Sequence, residues 1–350
     1  MGRSKYLEKN FLCKYDLSKN FFDKLGIDIL DITPIRKLFI LNTTNGSKIL
    51  KKVDYKEEKI RFIDESLKFI NRNFKNTMKM DRINDNDAFI CWKNENYILM
   101  DLINGREASV SNPVEVKMCS EALANLHKAS KNILEHLNEK RIQPIIGENL
   151  CNCYSNIKDD LINIKSWVKG YSYKNEFDKL FLENCDRYIE EIKKVEEMLW
   201  VSNYKKLIKD QELISICHND LANHNFIINE NDVNIIDFDY GTVDLRTIDL
   251  ADFLLKWIKN STFDISKGKL VLESYNNILN IKDDEYKLIY VLMSFPRDIY
   301  SIIKSYYHKS KEWEMEVFLH RFKNKLENDV FRIKFLNDYK ELYEKEIFFS

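Results

Sequence analysis

Glycine is scarce in this chain, with 8 in 350 residues, and no G-x-G-x-x-G run occurs. A glycine-rich loop that cradles phosphates is therefore excluded, and any phosphate site must rely on lysine, a metal ion and other backbone amides. An excess of one charge is also absent. A formal net charge of -1 with 32% charged residues provides no global attraction to nucleic acid or to a membrane surface. Long hydrophobic runs are missing too: residues 1–24 lack a continuous apolar core, and no later segment reaches the uninterrupted length of a membrane span. Neither a signal peptide nor a transmembrane helix is expected. The 7 cysteines are scattered, and an odd count without an export signal points to reduced thiols and a cytoplasmic setting. Cys151-Asn152-Cys153 stands too isolated to read as a metal site. What the chain does have is 44% hydrophobic content over 350 residues, enough to bury a large core shared by two lobes.

The chemistry-bearing residues are concentrated in one stretch. His218-Asn219-Asp220-Leu221-Ala222-Asn223-His224-Asn225 is followed by an apolar run over residues 233–238 that contains Asp237. An Asp, an Asn five residues later and a second Asp ending an apolar strand can set one base and two metal ligands around a nucleotide's terminal phosphates. In that arrangement Asp220 accepts the proton of an attacking hydroxyl, while Asn225 and Asp237 hold Mg2+ between phosphate oxygens. Apolar runs over residues 213–217 and 225–229 flank the loop, and the third run returns after the polar turn Glu230-Asn231-Asp232. Turn-linked strands of this kind would carry Asp237 back beside Asp220 and Asn225. Asp249-Leu250-Ala251-Asp252 then opens an apolar helix through Phe253, Leu254 and Trp257, with Asp249 suited to cap that helix or to brace the loop. The bland alternative is a polar loop that merely turns; the apolar runs around it argue for the site.

Such a catalytic half needs a small sheet that anchors phosphate. Residues 35–43 read as a strand, Thr44-Asn45-Gly46 as a hairpin turn and residues 47–53 as the returning strand. Lys51 follows Ile49-Leu50, the setting of a lysine that contacts α and β phosphates; Lys48 and Lys52 compete with it, and alternation turns Lys52 to the opposite face. Ile60, Ile63, Leu67, Ile70 and Phe74 predict an amphipathic helix. Glu65 within it is suited to pair with Lys51, whereas Glu57 and Glu58 fit compensation of the helix dipole. Residues 88–92 and 97–103 complete the sheet. The expected division is a nucleotide-binding lobe over residues 1–103 and a helical catalytic and acceptor-binding lobe over residues 104–350. Asp101, Leu102 and Ile103 form the hinge that offers backbone groups to an adenine edge. The fold class is α+β, a bilobal protein-kinase-like arrangement with a small antiparallel sheet and one main helix in its first lobe.

The pattern H-x-D-x-x-x-x-N, I-D-F and D-L-A, carried by His218, Asp220, Asn225, Asp237 and Asp249, resembles the aminoglycoside phosphotransferase and choline kinase superfamily. Residues 46–51 as G-x-x-x-L-K, residues 97–105 as Y-x-L-x-x-x-I-x-G, and residues 122–130 narrow the likeness. With Phe295-Pro296, Tyr306-Tyr307 and Trp313 they resemble the CotS-type spore coat kinase-like proteins of endospore-forming bacteria. The resemblance spans most of the chain. It implies ATP and Mg2+ as cofactors, a small-molecule hydroxyl acceptor, contacts with other spore coat proteins, and a place in the mother-cell cytoplasm and then the coat. His218 would brace the catalytic loop. One departure is Asn219, where the superfamily usually has glycine. The competing expectation is a catalytically silent coat component that keeps the fold. In related small-molecule kinases C-terminal helices wall the acceptor pocket, which makes Arg297, Tyr306 and Tyr307 candidates to face it; the default for Tyr300, Tyr306, Tyr307 and Trp313 is the core. His127 and His136 have no convergent ligands in the sequence and are not read as metal sites.

Overall fold

The computed structural model describes residues 17–35, 38–83, 87–230, 232–259 and 262–343. Residues 1–16 of the expected leaderless start, Arg36 and Lys37 of the first expected strand and Asn231 of the expected turn lie outside the described residues. A short helix, α1 (Lys19–Asp23), precedes β1 (Ile29–Ile35), β2 (Leu38–Thr43), β3 (Gly46–Val53), α2 (Glu57–Ile70), β4 (Phe89–Trp92) and β5 (Glu95–Asp101). The five strands form one antiparallel sheet in the order β1-β2-β3-β5-β4. A two-residue turn joins β2 to β3, with Thr43 opposite Gly46 at φ 106°. The strand expected at residues 35–43 begins only at Leu38, and β1 is an additional strand. Its Asp31 and Pro34 weaken the strand signal and are tolerated because β1 lies at the sheet edge.

Each face of the sheet has its own cover. Ile60, Phe62, Ile63, Leu67 and Ile70 of α2 are buried, as the 3.6-residue spacing requires, in a core that includes Val53, Phe89 and Ile98. On the other face Phe39, Leu41, Leu50, Tyr97 and Leu99 pack with Phe21 of α1 and with Leu25 just after it.

Helices dominate from residue 113. The elements are β6 (Arg106–Glu107), α3 (Pro113–Ala129), α4 (Ile133–Glu139), α5 (Leu150–Gly170), α6 (Glu176–Val201), α7 (Tyr204–Leu207), β7 (Ile214–Cys217), β8 (Phe226–Asn229), β9 (Asp232–Ile235), β10 (Thr242–Leu245), α8 (Arg246–Ile258), α9 (Ile265–Ile278), α10 (Asp283–Ser294), α11 (Arg297–Tyr307) and α12 (Met315–Tyr343). Local chemistry sets several starts. Asn112 caps α3 with Pro113 at its first position, and Asn175 with Asp178 makes a reciprocal capping box on α6. Two small sheets, β10-β7 and β6-β8-β9, lie among the helices and carry the loop that holds Asp220. Gly105 has φ 149°, and a Cβ there would lie 2.4 Å from the Ile228 carbonyl, so only glycine lets β6 close onto β8. The segment after α2 is tied to β9 by Met78 N–H to Ile235 O (3.1 Å) and Ile235 N–H to Asn76 O (2.9 Å), which locks the sheet-bearing part to the helical part. This is the bilobal kinase-like architecture. Among the described residues no helix is long and apolar enough to cross a membrane.

Close packing leaves one carboxylate poorly solvated. An added Cβ at Gly147 would lie 1.8 Å from Asp244 Oδ2, and burial lifts the Asp244 carboxyl from its ordinary 3.8 to about 6, with the Asp249 charge adding to the lift. A carboxyl raised in the folded state favours folding while it is protonated, so that contribution is complete below about pH 4 and disappears as pH rises through about 6. Asp244→Asn should therefore match the wild type near pH 4 and exceed its stability by roughly 2–3 kcal/mol at pH 7. Chemical denaturation of both proteins across that range measures the difference, and a constant offset would refute the role assigned to Asp244.

Candidate active site

The loop between β7 and β8 is held by a buried anion. Asp249, fully enclosed in the first turn of α8, accepts the His218 N–H at 2.9 Å, the Asn219 N–H at 2.9 Å and the His127 ring at 3.0 Å. Burial alone would lift its carboxyl, but the bond and charge of His127 and the backbone amide of His218 together hold it below the ordinary value. Asp249 thus braces the loop, and the capping alternative falls away because Leu245 occupies the N-cap position. His127, Cys217 and Asp249 offer ligand-type atoms within 4.8 Å of one another. The Asp249 carboxylate is already used by three donors and His127 Nδ1 by the Tyr275 hydroxyl at 2.7 Å, so the cluster is a hydrogen-bonded brace.

His218 is also buried, and its ring lies between two backbone groups. Nε2–H donates to Ile236 O at 2.8 Å and Nδ1 accepts the Asp220 N–H at 3.2 Å. Both ring nitrogens are occupied, so His218 takes no proton from a substrate in this arrangement; it fixes the loop against the residues that follow β9. Asn219 takes φ 63°, the left-handed conformation that glycine would adopt there and that Asn tolerates better than other side chains. Its Nδ2 donates to Tyr240 O at 3.0 Å and Thr242 Oγ1 at 2.8 Å. The departure from glycine is therefore accommodated and adds anchors to the loop.

Asp220 and Asn225 meet as their spacing suggested. Asn225 Nδ2 donates to Asp220 O at 2.7 Å, which turns its Oδ1 away from that carbonyl. The Asp220 carboxylate has a partner that sequence reasoning missed: Lys256 Nζ, 2.7 Å from Oδ1 and 3.0 Å from Asp252 Oδ2. Burial works to raise the Asp220 carboxyl, but the Lys256 bond and charge outweigh it and keep the carboxylate below its ordinary value, ionised and able to accept a proton. Asp252 and Lys256 are spaced i, i+4 on α8, a pairing legible in the sequence; its contact with Asp220 is a tertiary fact.

From β3, Lys51 Nζ lies 2.6 Å from Asp237 Oδ1 and 2.7 Å from Asp239 Oδ2. Lys52 points the other way, to Glu95 at 2.8 Å, and Lys48 is held by Asp81 at 2.7 Å and by Asp101, so Lys51 is the lysine of the three that faces these carboxylates. Asp237 departs from the expected strand end: β9 stops at Ile235, and Asp237 has φ 66° between Ile236, whose N–H bonds Asn225 O at 3.0 Å, and the buried Phe238. A non-glycine residue held in that region marks a position the surroundings enforce. Asn225 and Asp237 are hard oxygen donors of the type Mg2+ prefers, and two carboxylates facing one lysine leave uncompensated negative charge, so the residues present fit a divalent cation.

Other expectations are corrected. Glu65 does not meet Lys51; it accepts from the His136 ring at 2.8 Å, and that ring stacks on Phe69. Lys51 is instead neutralised by Asp237 and Asp239, the second of which the sequence reading passed over. In the hinge, the Asp101 side chain pairs with Lys48, and the Leu102 N–H is taken by Ser47 O at 3.1 Å, so Leu102 cannot offer that donor. The Ile103 amide and carbonyl have no backbone partner among the described residues. Tyr306 and Tyr307 do not face an acceptor: Tyr306 stacks on Phe177 and accepts from Asn175 Nδ2 at 2.7 Å, and Tyr307 donates to Asp178 at 2.9 Å. Arg297 does lie on the Asp220 side, donating to Asp252 Oδ1.

This geometry has relatives. The sequence is 22% identical over 315 residues to spore coat protein S of Bacillus subtilis (strain 168), covering 89% of this chain and 88% of that protein. The fold is similar to an aminoglycoside phosphotransferase from Alicyclobacillus acidocaldarius subsp. acidocaldarius DSM 446, with a TM-score of 0.81 and 15% identity over 94% of this chain and 97% of the other. It is also similar to spectinomycin phosphotransferase in complex with ADP and spectinomycin, with a TM-score of 0.65 and 16% identity over 93% and 98% of the two chains. The sequence model of choline/ethanolamine kinase matches residues 95–279, which include the whole Asp220, Asn225 and Asp237 constellation. With more than half of its length matched in this way, the chain belongs to the choline/ethanolamine kinase family.

Proposed function

We propose that this protein transfers the γ-phosphoryl group of ATP to a hydroxyl on a small molecule. The observation that carries the reading is the linkage of Asp220 to Asn225, of Asn225 to the backbone beside Asp237, and of Asp237 to Lys51. A scaffold has no physical need to hold that many incompletely compensated polar groups together. The structural relative in complex with ADP supports nucleotide binding. Lys51 would neutralise phosphate charge, with Ile103 among the hinge residues beside the base and the lobe boundary near residue 103. Asn225 and Asp237 would hold Mg2+, which when bound would supply positive charge beside the phosphates. Asp220 orients the acceptor hydroxyl and takes its proton as the oxygen bonds to Pγ. The bond from Pγ to the bridging oxygen breaks, and ADP leaves with the electron pair. Lys256 keeps Asp220 ionised and aimed. The likeness to spore coat protein S supports an association with the coat, and it favours the second reading, a coat component without turnover.

Nucleotide binding is tested at β3. Lys51→Ala should weaken MgATP binding by at least about tenfold, the loss of one buried charge-assisted contact. Lys52→Ala, on the opposite face of the strand, should leave affinity unchanged. Titration calorimetry on both variants decides, and equal losses would contradict the proposed cleft.

A further inference from the structure

The wall beyond Asp220 is built for negative charge. From Asp220 a chain of ion pairs runs through Lys256 to Asp252 and on to Arg297. Arg297 opens onto a cavity of about 260 Å³ between the C-terminal end of α8 and α12, which Lys259 and Lys325 also line. Every carboxylate on this wall is already engaged. Asp252 is almost fully buried between Lys256 and Arg297. Asp298 lies 3.0 Å from Lys325 and 3.9 Å from Lys259, and Asp329 is closed by Arg332 at 2.7 Å and by Arg187. The cations retain capacity. Arg297 is 43% exposed at its side chain and commits one nitrogen to Asp252 out of a five-donor guanidinium, while Lys259 and Lys325 share the single Asp298 carboxylate.

We propose that the acceptor is an anionic hydroxyl compound, a hydroxy acid or sugar phosphate, whose anionic group is held by Arg297, Lys259 and Lys325 while its hydroxyl reaches Asp220. The anion would displace Asp298 from its two lysines and complete the charge balance. A cationic acceptor would find positive charge with no free carboxylate to meet it. The proposal rests on the phosphotransferase reading and names its substrate class. In the transfer, the acceptor oxygen takes the γ-phosphoryl group, its proton goes to Asp220 and ADP departs.

The test is calorimetric titration of the full chain, loaded with MgADP, with 6-phosphogluconate, gluconate, glucose and choline. At least one of the two anions should bind ten times or more tighter than glucose and choline, and their order tells whether phosphate or carboxylate is the preferred group. Lys259→Gln with Lys325→Gln should weaken anion binding at least tenfold with MgADP affinity unchanged, while Asp298→Asn, which releases both lysines, should strengthen it several-fold. Choline or glucose binding as tightly as the anions, no anion binding at all, or anion affinity unmoved in these variants would overturn the proposal and leave the phosphotransferase reading standing. Failure of the wild type to bind MgADP would overturn both.

Discussion

Asp220→Asn should lower phosphate transfer by about a hundredfold to ten-thousandfold, the usual worth of general-base assistance, with little change in MgATP affinity. The substitution keeps size and polarity. Its backbone carbonyl still accepts from Asn225 Nδ2, and the Asp249 brace on His218 and Asn219 is untouched, so the loop keeps its shape. What is lost is the proton acceptor and the ion pair with Lys256, which is partly exposed and contributes at most about 1 kcal/mol to stability. Steady-state transfer to a validated acceptor, with nucleotide affinity measured alongside, separates the two effects. Equal turnover in the variant would remove Asp220 from the chemistry. A wild type silent across a broad acceptor screen, together with normal coat assembly by the Asp220→Asn protein in a sporulating host, would favour the coat component without turnover.

The second large effect is expected at Asp237. Asp237→Ala should abolish the added stabilisation that Mg2+ gives over ATP alone, because it removes the charged member of the proposed ligand pair and leaves Asn225, a neutral donor. For a ligand at a hundred times its dissociation constant, full loss corresponds to about 2.7 kcal/mol of ligand-linked stability. Position 237 has φ 66°, a conformation that Asp tolerates better than Ala, so alanine there adds backbone strain in the unliganded protein. Asp237→Gly removes the carboxylate without that strain and serves as the control. Thermal unfolding with ATP, in the presence and absence of Mg2+, reads the difference; an unchanged Mg2+ increment in both variants would dismiss Asp237 as a ligand.

The two predictions draw on different sources. Asp220 and Asn225 were legible because their five-residue spacing within one loop limits how far apart they can fold, and the apolar runs on either side marked the loop's ends. The register of Lys51 and Lys52 was legible for a similar reason: alternation along a strand sends neighbours to opposite faces whatever the strand packs against. The stripe of α2 came from its 3.6-residue period. The edge strand β1 was missed because Asp31 and Pro34 break the alternation, and an edge strand needs less apolar character than a central one.

By itself the sequence determined the α+β bilobal class, the loop with Asp220 and Asn225 and the opposite facing of Lys51 and Lys52 on β3, because periodicity, turn chemistry and short spacings are local properties of the chain. Only the tertiary structure decided who meets whom. Lys51 reaches Asp237 over 186 positions, Glu65 turns to His136 over 71, and Lys256 closes on Asp220 over 36. Periodicity tells which face of an element a side chain occupies, but the partner on that face is set by how separate elements pack, and packing is chosen by the whole core. That is why a glutamate well placed for Lys51 by spacing serves a histidine instead, and why two tyrosines suited to a pocket wall are consumed by the helix cap and rings beside them.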